Sequence, residues 1–332
     1  MPLPTFVIAG ERKCATTALH HWMSVHPDVY MHPDWDLNYF IEDELLHTLE
    51  WREGEVEASH WDKTHSTKQY SELFRKANPQ SAIGEKSADL FYWRPAHARM
   101  GQYLSEAKII IVLRHPVERA WSHYWNEIGK GKGRESLSFE DALASEPDRC
   151  QSNAYARLHL SYLRRGFYDE SLESLLQHIE PSRVLVLTTE RMKSQPKQVL
   201  QDVYSFIEVD PNLGLELAGT RHNDNSTQIT RPIAEVPGVK TVAAAYNRIA
   251  GSLAWHVTRD LDRSSRVKKY VQMPFRKPAT SIPMPAQIRT RLLDIYTPHT
   301  EKLERLLGRQ LDEWMPRVIS HAENLSQSTV SN

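Results

Sequence analysis

The chain has 332 residues, with 41 Lys and Arg against 42 Asp and Glu, a formal charge of −1, and 40% hydrophobic residues. A near-neutral balance argues against a nucleic-acid binder, which needs a concentrated basic face, and no apolar run reaches membrane-spanning length. Two cysteines, Cys14 and Cys150, make no disulfide framework, and no internal repeat period is visible.

The first element is a short apolar run, Phe6 to Ala9, read as a strand. It feeds Gly10-Glu11-Arg12-Lys13-Cys14-Ala15-Thr16-Thr17-Ala18-Leu19 and then an amphipathic segment, His20 to Val25. A strand, a tight turn and a helix start bring unpaired helix N–H groups together with two hydroxyls and a lysine, a setting for phosphate or sulfate. The loop is not a Walker A sequence: Lys13 stands three residues before Thr16, and Ala15 occupies a place where glycine is expected. The other reading is an ordinary βα turn with a chance lysine. Cys14 sits where a helix N-terminus and Lys13 would lower a thiol pKa, although it is read as a small loop residue rather than a nucleophile. His20 and His21 are adjacent and point to different sides of a helix, and no metal-ligand spacing is present.

Next come His26-Pro27-Asp28-Val29 and Asp34-Trp35-Asp36-Leu37-Asn38-Tyr39-Phe40. On an extended segment Asp34 and Asp36 share a face. His65 lies in a polar stretch and reads as a surface histidine in preference to a general base. Ala82-Ile83-Gly84-Glu85-Lys86-Ser87 reads as a strand end, with Lys86 either facing a ligand or pairing with Glu85. Lys108 to Leu113 is an apolar, β-branched run typical of a buried parallel strand, and Pro116 stops its continuation. Arg114 stands at its carboxyl end, where open α/β sheets place ligands, and Ser122 follows eight residues later on a helix. The alternative for Arg114 is a local pair with Glu118. Gly129 to Arg134 is a basic lid or a solvated loop, and Arg221 to Pro237 is a second lid candidate. Trp35, Trp51, Trp61 and Trp93 border a ligand cleft or serve as core residues. Strands near 5–9, 82–85, 109–113 and 184–188 alternate with helical patterns, which predicts an α/β fold with a central parallel sheet covered on both faces. No linker divides the pattern, so residues 1–320 are read as one domain and 321–332 as a disordered tail.

The order K-x-[GA]-T-T after a strand resembles the 5′-phosphosulfate loop of sulfotransferases that use 3′-phosphoadenosine 5′-phosphosulfate (PAPS). Arg114 and Ser122 resemble the R-x₇-S pattern that holds the 3′-phosphate in that family, and Gly84-Glu85-Lys86-Ser87 resembles its G-E-K-[ST] strand end. Arg165-Gly166-Phe167-Tyr168, Arg183 to Leu187 with Glu190, Val199 to Ile207, and Tyr296 through Trp314 follow the family's order. The likeness is greater to the carbohydrate, heparan-sulfate and bacterial branch than to the cytosolic phenol and steroid branch.

The resemblance implies a P-loop-like three-layer α/β/α fold, PAPS as donor, the bisphosphate PAP as product and no required metal. Arg12, Lys13, Cys14, Ala15, Thr16, Thr17 and Ala18, with Arg114 and Ser122, would hold the donor. Lys13 would neutralise developing charge, and Lys86 would steady the sulfuryl group or acceptor. The family's E-x-[NH]-[FY]-F base motif is met by Asp36, Asn38, Tyr39 and Phe40, with aspartate for glutamate and about 1.5 Å less reach. The bland reading of Asp36 is a helix cap or turn carboxylate. The acceptor is expected to be a glycan or small-molecule natural product, with no nucleic-acid partner and no membrane span. The short lead into the first strand makes a cytoplasmic location the expectation, though part of a Golgi lumenal protein would read the same. A P-loop kinase using Mg-ATP, and a nucleotide-binding protein without turnover, stay open as alternatives.

Overall fold

The computed structural model describes residues 3–34, 36–41, 67–77, 82–130, 135–213, 215, 231–232, 276–277 and 283–315. Trp35, Trp51, Trp61, His65, residues 131–134, nearly all of 221–237 and the tail 321–332 lie outside the described residues.

The frame is a sheet of five parallel strands: β1 (Phe6–Gly10), β2 (Val29–Met31), β3 (Ala82–Lys86), β4 (Lys108–Leu113) and β5 (Val184–Thr188), in the order β2-β3-β1-β4-β5. Three of the four strands expected near 5–9, 82–85, 109–113 and 184–188 meet at the centre. Ile8 pairs with Lys86 on one side and Ile110 on the other, so the carboxyl ends of β1, β3 and β4 reach one edge together. The chain reverses its direction of strand addition across β1, and such a switch point leaves a crevice beyond the strand ends. The edge strand β2 was not expected, because three residues carry too little periodicity to read.

Alternation along the strands builds two cores. Val7, Ala9, Ile109, Ile111 and Leu113 face one way, onto α3 (Pro95–Tyr103), α7 (Tyr168–Leu176) and α10 (Ala286–Leu307). Phe6, Ile8, Ile110 and Val112 face the other, onto α1 (Thr16–Met23) and α9 (Pro196–Phe206). Both faces of β1 and β4 are therefore dry, which explains their continuous apolar sequence. The result is the three-layer α/β/α arrangement.

A third cluster surrounds α4 (Pro116–Lys130), α5 (Phe139–Ser152), α6 (Ala154–His159) and the start of α10, with Trp121, Tyr124 and Phe139 packed ring against ring. A short helix, α2 (Thr67–Leu73), sets Tyr70 over β3, and α8 (Thr189–Ser194) follows β5. Gly84 is required by packing, since a Cβ there would enter the Phe6 ring. Trp93 is a core residue on the first face, with the Arg157 guanidinium over its ring at 5.8 Å. No helix among the described residues is long and apolar enough to cross a membrane.

Candidate active site

The turn after β1 is tight: Cys14 N donates to Glu11 O at 3.1 Å, and Lys13 and Ala15 both take left-handed backbone angles, with φ of 70° and 64°. Ala15 occupies a conformation that glycine adopts at no steric cost, which explains why glycine is the expected residue there. Ala15 is also the N-cap of α1, and among the described residues no side chain caps that helix end. The first-turn N–H groups of Thr16, Thr17 and Ala18 lack intrahelical acceptors, with the positive end of the helix dipole behind them. The first turn of α1 holds no acidic residue.

The loop side chains divide. Lys13 donates to Asn126 Oδ1 on α4 at 3.0 Å. Cys14 is fully buried in the second core, and burial, with Glu11 adding to it, pushes its thiol up to about 12, so the lowering expected from the helix end does not operate. Its Sγ lies 3.8 Å from the Arg12 carbonyl and 3.9 Å from Tyr168 Oη. The Arg12 side chain turns inward, donating through Nε and NH2 to Asp89 at 3.0 and 2.5 Å and through NH1 to His159 Nδ1 at 2.8 Å, with Glu127 at 3.7 Å.

Asp89 also takes Arg165, a fully buried guanidinium whose other arm reaches Glu11. Burial works against charge on Asp89, but Arg12 and Arg165 overcome it and hold the carboxyl below the usual range. Burial raises the Glu11 pKa, with Arg165 opposing. The four side chains pin the loop after β1 to the segment after β3 and to the turn Arg164–Gly166. Sequence reasoning missed this cluster. Its one local signal is a carboxylate, Glu11, directly after a wholly buried strand.

Arg114 leaves β4 beside the loop, three residues beyond the register partner of Gly10. Its carbonyl accepts from Tyr168 Oη at 3.0 Å. The alternative pairing with Glu118 is not made: Glu118 binds Arg289 instead, and among the described residues no carboxylate pairs with the Arg114 guanidinium. Ser122 lies half-buried two turns along α4.

Asp36 stands at the end of β3. Its N–H donates to Lys86 O at 2.7 Å, while its Oδ1 accepts from Lys86 Nζ and Ala88 N, both at 2.9 Å. Lys86 is therefore paired with Asp36 and not with Glu85. Lys86 is 3% exposed and Asp36 is 42% exposed, so the cation is buried while the carboxylate keeps an open side. Asp36 has φ 57°, which breaks the extended alternation that would have put Asp34 on its face. It is a turn carboxylate through Ala88 and an ion-pair partner at once. Asn38 N donates to Ser87 Oγ at 2.9 Å, fixing the same segment.

Glu85 points into the core, accepting from Tyr70 Oη at 2.6 Å and Ser87 Oγ at 3.1 Å, and burial raises its pKa to about 7 against those two bonds. Among the described residues no group of His, Cys, Asp or Glu is arranged to hold a metal ion.

Fold and site define a parallel α/β protein with, among the described residues, a helix N-terminus that no side chain caps, an arginine that no carboxylate pairs and a carboxylate–lysine pair on one sheet edge. Within that class, the sulfotransferase domain profile matches residues 3–224, and the chain belongs to the sulfotransferase family. It is 25% identical over 214 residues to heparan sulfate glucosamine 3-O-sulfotransferase 5 of Mus musculus, covering 64% of this chain and 55% of that one. It is 24% identical over 331 residues to bifunctional heparan sulfate N-deacetylase/N-sulfotransferase 4 of Mus musculus, covering 94% of this chain and 31% of that protein. The chain thus spans about half the length, or less, of these curated relatives. The fold is that of a sulfotransferase from Alicyclobacillus acidocaldarius, with a TM-score of 0.64, 23% identity, and coverage of 95% and 99% of the two chains.

Proposed function

We propose that this protein moves the sulfuryl group of PAPS to a hydroxyl or amine of a carbohydrate or small-molecule natural product. The observation that carries the reading is the convergence of the Thr16–Ala18 N–H groups, Arg114 and the Asp36–Lys86 pair at the adjacent carboxyl ends of β1, β4 and β3. The backbone of Ala15 to Ala18, with the Thr16 and Thr17 hydroxyls, receives the 5′-phosphosulfate. Arg114 and Ser122 receive the 3′-phosphate, which a guanidinium fork meets through two oxygens. The donor supplies a sulfuryl group activated by its bond to phosphate.

Asp36 takes the acceptor's proton on Oδ2, which has no hydrogen-bond partner among the described residues, as Oδ1 is occupied by Lys86 and Ala88. The acceptor oxygen or nitrogen then bonds to sulfur as the bond from sulfur to the phosphate oxygen breaks. PAP leaves with that electron pair. Lys13 and Lys86 offset the charge that develops on either side of sulfur, and such preorganised electrostatics commonly supplies the largest part of rate enhancement. The contacts from Lys86 and Ala88 to Oδ1 hold the carboxylate in one orientation.

Thermal stability with adenosine 3′,5′-bisphosphate, against ATP with Mg²⁺, tests the reading. A ligand that binds only the folded state at about 100 times its Kd adds roughly 2.7 kcal/mol. Stabilisation by the bisphosphate, lost in Arg114→Ala, is the expected result. Preference for Mg-ATP would sink the reading in favour of a kinase. Asp36→Asn is expected to keep bisphosphate binding while losing about 10²- to 10⁴-fold in transfer.

A further inference from the structure

We infer that Trp314, acting through Glu190, is a positioning residue for the 3′-phosphate end of the donor site, an inference that rests on the sulfuryl-transfer reading above. The backbone around Arg114 is held from two directions. Tyr168 Oη donates to the Arg114 carbonyl at 3.0 Å, and the N–H of the next residue, His115, donates to Glu190 Oε1 at 3.3 Å. The second oxygen of Glu190 accepts from the Trp314 indole Nε1 at 3.0 Å. One carboxylate is thereby fixed by two donors, one of them the residue that follows Arg114 and the other in the final described turn.

The Trp314 ring fills the angle between the two holds, with its centroid 6.0 Å from that of His115 and 6.1 Å from that of Tyr168. Its own seat is firm. The turn Asp312–Trp314 follows α10, and Glu313 beside it accepts from Thr188 Oγ1 at 2.8 Å, at the end of β5, and from Arg309 at 3.1 Å. The turn is thus anchored to the same sheet edge from which Arg114 emerges. A guanidinium fork reads a phosphate only when its plane is set, and a displacement of tenths of an ångström at the backbone is magnified at the end of a long side chain. Trp314 lies beyond the stretch matched by the family profile, residues 3–224, so this hold is supplied from outside the segment that carries the motifs.

Titration calorimetry on the full chain with two probes, adenosine 3′,5′-bisphosphate and adenosine 5′-monophosphate, tests the inference. Trp314→Phe keeps a ring and removes the indole N–H. It is expected to weaken the bisphosphate by about five- to tenfold, leave the monophosphate unchanged, and add nothing in an Arg114→Ala background. Glu190→Gln leaves one acceptor oxygen for two donors and is expected to show the same selective loss. Wild-type affinity for the bisphosphate in both variants, or equal weakening of both nucleotides, would overturn the inference while leaving the donor assignment standing. A wild-type protein that binds neither nucleotide would overturn both.

Discussion

Glu85→Gln is expected to stabilise the protein more as pH rises. The folded carboxyl has its pKa raised from 4.5 to about 7, chiefly by burial. Between those values the folded state keeps a proton that the unfolded state releases. The stability tied to this group is therefore full below the unfolded value and is lost as pH climbs through the folded one. Integrating the difference in proton binding makes that loss about 2–3 kcal/mol between about pH 5 and pH 8. Glutamine cannot ionise, still accepts from Tyr70, and can turn its amide toward Ser87.

The assay is urea denaturation of wild type and variant across that range, read as a difference. Taking the difference removes His97, whose pKa burial lowers to about 4 and whose contribution runs the opposite way, lost as pH falls. A gap that widens by about 2–3 kcal/mol toward high pH is the expected result. A flat gap, or a variant that weakens as pH rises, would mean that Tyr70 and Ser87 hold Glu85 ionised, and the reasoning would fail.

Asp89→Ala removes the carboxylate shared by Arg12 and Arg165, leaving Arg165 with Glu11 and Arg12 with Glu127 at 3.7 Å, and is expected to cost about 3–5 kcal/mol, measured by urea unfolding at neutral pH. A loss under about 1 kcal/mol would show the cluster to be well hydrated. Ala15→Gly relieves a left-handed backbone and is expected to gain up to about 1 kcal/mol after the added flexibility of the unfolded chain is counted. Destabilisation would show that the methyl group packs usefully. Cys14, buried with its pKa pushed up to about 12, is expected to resist iodoacetamide in the folded protein at about pH 8 and to react on unfolding. Fast labelling of folded protein would refute that burial.

What could be read from the sequence was local in the chain. The β-branched run of β4, its arginine and the loop after β1 each carry their signal within about ten residues, the scale on which strand pattern and turn chemistry act. What escaped was long-range or orientational. Nothing in the residues around Arg165 says that its partners are Glu11 and Asp89, which stand 154 and 76 positions away. The Lys86 pairing illustrates the same limit, because its neighbour Glu85 offered an adjacent charge while the actual partner, Asp36, lay 50 residues back. Strand alternation explains that outcome, since neighbours on β3 face opposite sides. Cys14 was legible as a loop residue but not as one whose side chain drops into the core, which depends on the left-handed turns that flank it.

The indole bond to Glu190 joins residues 124 positions apart, and this sets an order of events for the growing chain. At roughly 5–20 residues per second, Trp314 is made about 6–25 s after Glu190. All five strands of the sheet have been synthesised by residue 188, whereas the brace beside Arg114 arrives with the last described turn. A nascent chain therefore has its framework before the hold on the backbone beside Arg114, which closes only once residue 314 has folded back against the end of β5.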